Sequence, residues 1–174
     1  PGAPASEPDG APQRIEAGAS KTDRTAEPVA PVEVFGDAAY GTGEILAQLE
    51  GRATPMLKVQ APVAPNGIFA KDRFQVDLGA GTVTCPAGHH ASIRPRNDGG
   101  GIASFGASCA ECPMRAQCTT SADGRNVNIH PQERLLSAER ERQKDPAWKE
   151  RYKTTRPKVE RKLAHLMRRR HGGR

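Results

Sequence analysis

Apolar positions fall in short stretches separated by Pro- and Gly-rich chain, and their spacing changes along the sequence. Val32, Val34 and Phe35 form a β-branched and aromatic run of the kind that fills a buried strand. Residues 43–50 then read as a helix stopped by Gly51, and residues 54–60 as a second strand. Strand, helix and strand in so few residues predict a right-handed crossover in a partly parallel sheet. After a Pro-rich connector over residues 61–67, Phe74, Val76 and Leu78 alternate with polar residues. The chain turns at residues 79–81 and returns through residues 82–85, which predicts a β-hairpin ending on Cys85. Residues 97–101 mark a flexible tip, residues 125–130 a short strand, and residues 133–144 a helix ended by Asp145-Pro146. A last helix is expected from about Pro157 to Arg170, stopping at Gly172. Thr154 and Thr155 are its capping candidates, and Val159, Leu163, Leu166 and Met167 form its apolar stripe.

Residues 1–30 break this pattern. They are rich in Pro, Ala, Gly, Glu and Asp, with Ile15 and Val29 as the large aliphatics, too little apolar surface to offset chain entropy, so a disordered segment is expected. Over the 174 residues 36% are hydrophobic and 4% aromatic, which limits the core to a modest one that more chain would complete. No apolar run approaches the ~20 residues that cross a bilayer, and the N-terminus lacks the order of a secretory signal. A cytoplasmic protein with no membrane partner is the expectation.

Charge then separates the two ends. Residues 1–50 carry 3 basic and 9 acidic side chains, residues 51–124 carry 7 and 5, and residues 125–174 carry 16 and 6. The overall charge of +6 is thus concentrated in a basic C-terminal third. Such a density, with Arg168, Arg169 and Arg170 following Arg161 and Lys162, suits a polyanion, most often nucleic acid. A solvated helical surface would carry the same residues.

The four cysteines are Cys85, Cys109, Cys112 and Cys118. Cys109-x-x-Cys112 has the chelate spacing of a structural zinc knuckle, and all four could supply thiolates to a tetrahedral Zn²⁺, with His89 as a possible substitute ligand. Two disulfides, a redox pair or unconnected structural thiols are the alternatives. A chain without a secretory signal disfavours disulfides, and Cys109 lacks the strand-to-helix context of a redox pair.

Two carboxylates stand out by position. Asp37 follows the first strand, where ligands bind in parallel sheets, although it could equally cap its Gly-rich turn. Glu160 sits on the margin of the last helix's apolar stripe, among Arg156, Lys158, Arg161, Lys162 and His165. It could face Asp37 and share a divalent ion such as Mg²⁺, which takes one or two protein carboxylates and fills its remaining positions with water or phosphate oxygens. A helical ion pair without further consequence is the alternative.

Together these pieces resemble one family. Val34-Phe-Gly-Asp-Ala-Ala-Tyr-Gly-Thr-Gly43 resembles the second-aspartate motif of bacterial insertion-sequence transposases of the DDE type. Arg156-Pro-Lys-Val-Glu-Arg-Lys-Leu-Ala-His-Leu-Met167 resembles their third-acid motif. Tyr152 and Arg156 precede Glu160 much as in the family's Tyr…Arg…Glu signature, although three residues separate Tyr152 from Arg156 where the common form has two. The stretch from Thr84 to His89, with Cys109, Cys112, Pro113 and Cys118, is similar to a cysteine-bearing insertion of one subgroup.

The resemblance implies an α/β, partial RNase H-like fold, a βαβ unit plus C-terminal helices. Residues 31–174 would form the partial DDE domain and residues 68–130 an inserted, zinc-knuckle-like β-rich subdomain. It implies Asp37 and Glu160 as metal-binding catalytic acids using Mg²⁺ or Mn²⁺. DNA, as transposon ends and target, would be the partner, contacted through Tyr152, Arg156, Lys158, Arg161, Lys162, Arg168, Arg169 and Arg170. The resemblance also allows a homo-oligomer as partner. The first aspartate has no match, since Asp9 and Asp23 follow no apolar strand. The expectation is therefore a truncated transposase, inactive alone. A non-catalytic zinc-bearing DNA-binding module is the second expectation, and a gene remnant that seldom folds is the third.

Overall fold

The computed structural model describes Gly2 and residues 31–166, so the expectations for residues 3–30 and for Met167 to Arg174 lie outside the described residues. Strand β1 (Glu33–Gly36), helix α1 (Gly43–Leu49) and strand β2 (Thr54–Leu57) come first, and β1 pairs with β2 in parallel, as the sequence pattern predicts. The Thr42 hydroxyl caps α1 by accepting from the Ile45 N–H at 3.4 Å. Gly41 lets the turn after Asp37 lie against the chain that leaves β2: a Cβ there would stand 2.3 Å from the Lys58 carbonyl oxygen. Leu46, Leu57 and Val59 then form a small core with Leu136 of helix α3 (Glu133–Arg142).

Between these elements runs an antiparallel meander of β3 (Gln75–Asp77), β4 (Thr82–Thr84), β5 (His90–Pro95), β6 (Gly101–Ser104) and β7 (Asn126–Ile129). The predicted hairpin is its first turn, with Val76 opposite Val83. Residues 97–101, expected as a flexible tip, form the turn of the β5–β6 hairpin, with Gly101 opening β6. Arg96 N–H donates to the Gly100 carbonyl at 2.9 Å, and Gly100 N–H to Asp98 Oδ1 at 2.9 Å. The meander's core gathers Phe74, Val83, Ala91, Ala103, Phe105 and Val127, with the Phe74 and Phe105 rings 5.9 Å apart.

Buried Glu133 ties the two cores. Its carboxylate takes Lys71 from the approach to β3, the His130 N–H at 3.1 Å, and Arg140 at 3.3 Å. Burial pushes this carboxyl up, but those donors prevail and hold it below the ordinary value. Glu139, on the same helix, has Arg142 as its ion-pair partner, and there burial prevails and raises it.

The last helix differs most from expectation. Helix α4 spans Pro146–Leu166, with Pro146 rather than Pro157 in its first turn and Asp145 Oδ1 accepting the Ala147 N–H at 2.9 Å. Pro157 is internal, and Thr154 and Thr155 are helical residues rather than caps. The Thr154 hydroxyl donates back to the Glu150 carbonyl at 2.9 Å. Of the expected apolar stripe, Val159 is half-buried and Leu163 is 56% exposed, and Met167 lies outside the described residues.

Candidate acidic site and cysteine cluster

Asp37 emerges from β1 into a turn that its own side chain closes, Oδ1 accepting the Ala39 N–H at 2.9 Å. This cap engages one oxygen; the other, Oδ2, faces α4 and stands 3.8 Å from Arg156 Nη2. The same nitrogen lies 2.7 Å from Glu160 Oε1. Two carboxylates far apart in sequence thus share one guanidinium. Glu160 is 57% exposed and Asp37 46%, so both carboxylates are open to solvent, and Glu160's pairing partner is Arg156.

Helix α4 is held here by a ladder at four-residue spacing. Buried Trp148 stacks on Tyr152, rings 4.9 Å apart and 10° from parallel. The Tyr152 hydroxyl donates to the Gly36 carbonyl at 2.9 Å, next to Asp37. Arg156 lies over the Tyr152 ring at 5.8 Å and reaches Glu160. One turn earlier Arg151 grips Glu33 of β1 at 2.8 Å, and this bond raises the guanidinium's affinity for its proton. The cleft between α4, β1 and α1 has a volume of about 330 Å³; its floor includes Val34, Ile45 and Leu57, and the two acids and Arg156 stand among its walls.

Hard oxygen donors in an open cleft suit a divalent ion that keeps several waters. Among the described residues no third His, Cys, Asp or Glu side chain joins them. Lys158, Arg161 and Lys162 are exposed on α4, and Arg161 Nε donates to the Pro157 carbonyl at 3.3 Å. Arg168, Arg169 and Arg170 lie outside the described residues.

The cysteines converge elsewhere. Cys85 ends the β4 side of its hairpin, Cys109 closes a 3₁₀ turn (Gly106–Cys109), Cys112 follows it, and Cys118 ends helix α2 (Arg115–Cys118). All four thiols are free and border one cavity of about 10 Å³, with His89 also on its wall. Arg115 and Arg125 brace the frame by donating to the Cys109 and Cys118 carbonyls at 2.9 and 3.2 Å. The Arg125 N–H points at Cys109 Sγ, 3.5 Å away. Burial pushes the Cys118 thiol up. The expected set of four ligands is thus gathered but not arranged as one: among the described residues no three metal-ligating side chains form a coordinating group.

Sequence reasoning missed Trp148, Arg151 and Glu33. The sequence resemblance makes Arg156 a DNA contact, whereas the structure pairs it with Glu160 and Asp37; the four-residue spacing from Tyr152 through Arg156 to Glu160 is the signal for that pairing.

Residues 84–174 match the family described as "Transposase DDE domain", a span that includes the cysteines, Tyr152, Arg156 and Glu160 and leaves Asp37 upstream. No curated protein and no solved structure matches the chain.

Proposed function

The chain belongs to the transposase DDE-domain family, and from that membership we propose that it contributes to DNA strand cleavage and strand transfer, with Asp37 and Glu160 as two of the metal-binding acids. The observation that carries this reading is the single guanidinium shared by both carboxylates. Family membership implies an RNase H-like core, and the parallel β1–α1–β2 unit that delivers Asp37 supports it. Residues 68–130 would then be a β-rich insertion between the two acids, within a DDE domain spanning residues 31–174.

A bound Mg²⁺ or Mn²⁺ would supply charge neutralisation and an activated nucleophile at the scissile phosphate. The chain's own groups do the positioning. Asp37 is fixed by its turn, and Glu160 is brought to it by the Trp148–Tyr152 ladder. Exposed Lys158, Arg161 and Lys162, together with Arg168, Arg169 and Arg170, would hold phosphates through salt-sensitive contacts. With two acids assembled among the described residues, the chain should bind DNA without cleaving it.

The test is nicking of supercoiled plasmid in Mg²⁺ or Mn²⁺. No nicking alongside retained DNA binding is the expected result. Nicking lost in Asp37→Ala would keep the acid assignment and overturn the incompleteness. Nicking that survives both Asp37→Ala and Glu160→Ala would overturn the assignment itself.

A second reading is favoured by one observation, the four thiols around a single cavity. Soft thiolates in a space of about one water's size suit Zn²⁺ in a structural role, the ion binding Cys118 as the thiolate although burial pushes that thiol up. The protein would then be a zinc-bearing DNA-binding module. Zinc near one equivalent, lost in Cys109→Ser together with cooperative unfolding, is the expected result; protein equally folded without zinc would remove this reading.

A further inference from the structure

We propose that Arg156 is a positioning residue that acts as resident counter-cation to the Asp37–Glu160 pair, competing with a divalent ion for the two carboxylates. This rests on the reading of those acids as metal ligands. Three observations carry it. Its Nη2 lies within 3.8 Å of both carboxylates, 2.7 Å from Glu160 and 3.8 Å from Asp37, so the guanidinium occupies the space a bridging cation would need. Its mount is built: Arg156 rests over Tyr152, which is fixed by the Gly36 carbonyl and by the stack on Trp148. The pairing also contributes little to the helix, because both acids are about half exposed and an Arg preceding Glu by four residues runs against the favoured order. A cation held on a rigid aromatic base beside two solvated acids is placed to neutralise them rather than to stabilise the fold.

Each carboxylate therefore has two alternative partners. With Arg156 in place, their mutual repulsion is offset and they stay converged. When a divalent ion takes both, the guanidinium is released at the mouth of the same cleft, free to meet a phosphate oxygen of the bound strand. The site is thus protected from closing on metal until its cation is displaced.

The experiment is Mn²⁺ titration of the purified protein, free Mn²⁺ being read by electron paramagnetic resonance, without DNA and without an activity assay. Arg156→Gln should bind Mn²⁺ about two- to tenfold more tightly than the wild type, the competition that two partly exposed ion pairs impose. Arg156→Lys, which keeps a charge but loses the fork, should fall between them. Asp37→Asn should abolish the gain in the double variant. Unchanged or weaker Mn²⁺ binding by both Arg156 variants, with wild-type binding still lost in Asp37→Asn, would overturn the role of Arg156 alone. Binding indifferent to Asp37→Asn would overturn the acid assignment, and this proposal with it.

Discussion

Glu133 and Glu139 lie six residues apart on one helix, both 3% exposed, and titrate in opposite directions. The folded Glu133 carboxyl is depressed, so its contribution is present above the unfolded value and fades as pH falls through the lower folded value. Glu139 is raised, so it costs stability at neutral pH, and that cost is relieved as pH falls through its raised value. Glu133→Gln should therefore destabilise the protein at pH 7 by about 3 kcal/mol, because it strands Lys71 and Arg140. Glu139→Gln should cost little or even stabilise. Urea unfolding of both variants at pH 7 and pH 4 would check the sign, and the difference between them should narrow in acid. Neither role was legible from sequence, where both residues read as ordinary members of a charged helix; what separates them is Lys71, supplied from far away in the chain.

At the scale of elements, the parallel unit was legible because its signals are local: an apolar run at Val32, Val34 and Phe35 and a stop at Gly51. The meander was only partly legible. Strands β5 and β6 bury Ala91 and Ala103, residues too small to raise an alternating hydrophobic pattern above background. Helix α4 was misread at its start because Pro157 carries a start signal inside a helix that tertiary contacts hold together through Arg151 and Tyr152. Since an internal Pro sacrifices a helical hydrogen bond, Pro157→Ala should stabilise the protein, by roughly 1–3 kcal/mol, as a rise in thermal midpoint. Gly41→Ala should do the reverse, by about 2 kcal/mol or more, because its Cβ meets the Lys58 backbone rather than a movable side chain. That loss would also displace the turn carrying Asp37, so Mn²⁺ binding should weaken in the same variant.

Across the whole molecule, acidic and thiol chemistries occupy separate places: Asp37 and Glu160 at the parallel strands, the cysteines at the end of the meander. The sequence pointed to both sets of residues but could not show that Arg156 stands between the acids, since that depends on how α4 packs against β1. The basic C-terminal third predicts DNA binding that weakens steeply with salt. Its slope should shrink by about one unit of log affinity per log salt for each phosphate-contacting cation removed, so that Lys158→Ala, Arg161→Ala and Lys162→Ala tested singly would count the contacts.

Trp148 is the chain's one tryptophan, and it stands at the far end of the ladder from Glu160, stacked on the ring that carries Arg156. The protein accordingly contains its own optical probe. A movement of the guanidinium that disturbs Tyr152 changes the surface against which the indole rests, and with it the emission of that single fluorophore. Occupancy of the acid pair could thus be followed by intrinsic fluorescence in unlabelled protein, in real time, with Tyr152→Leu as the variant in which the optical signal disconnects from binding.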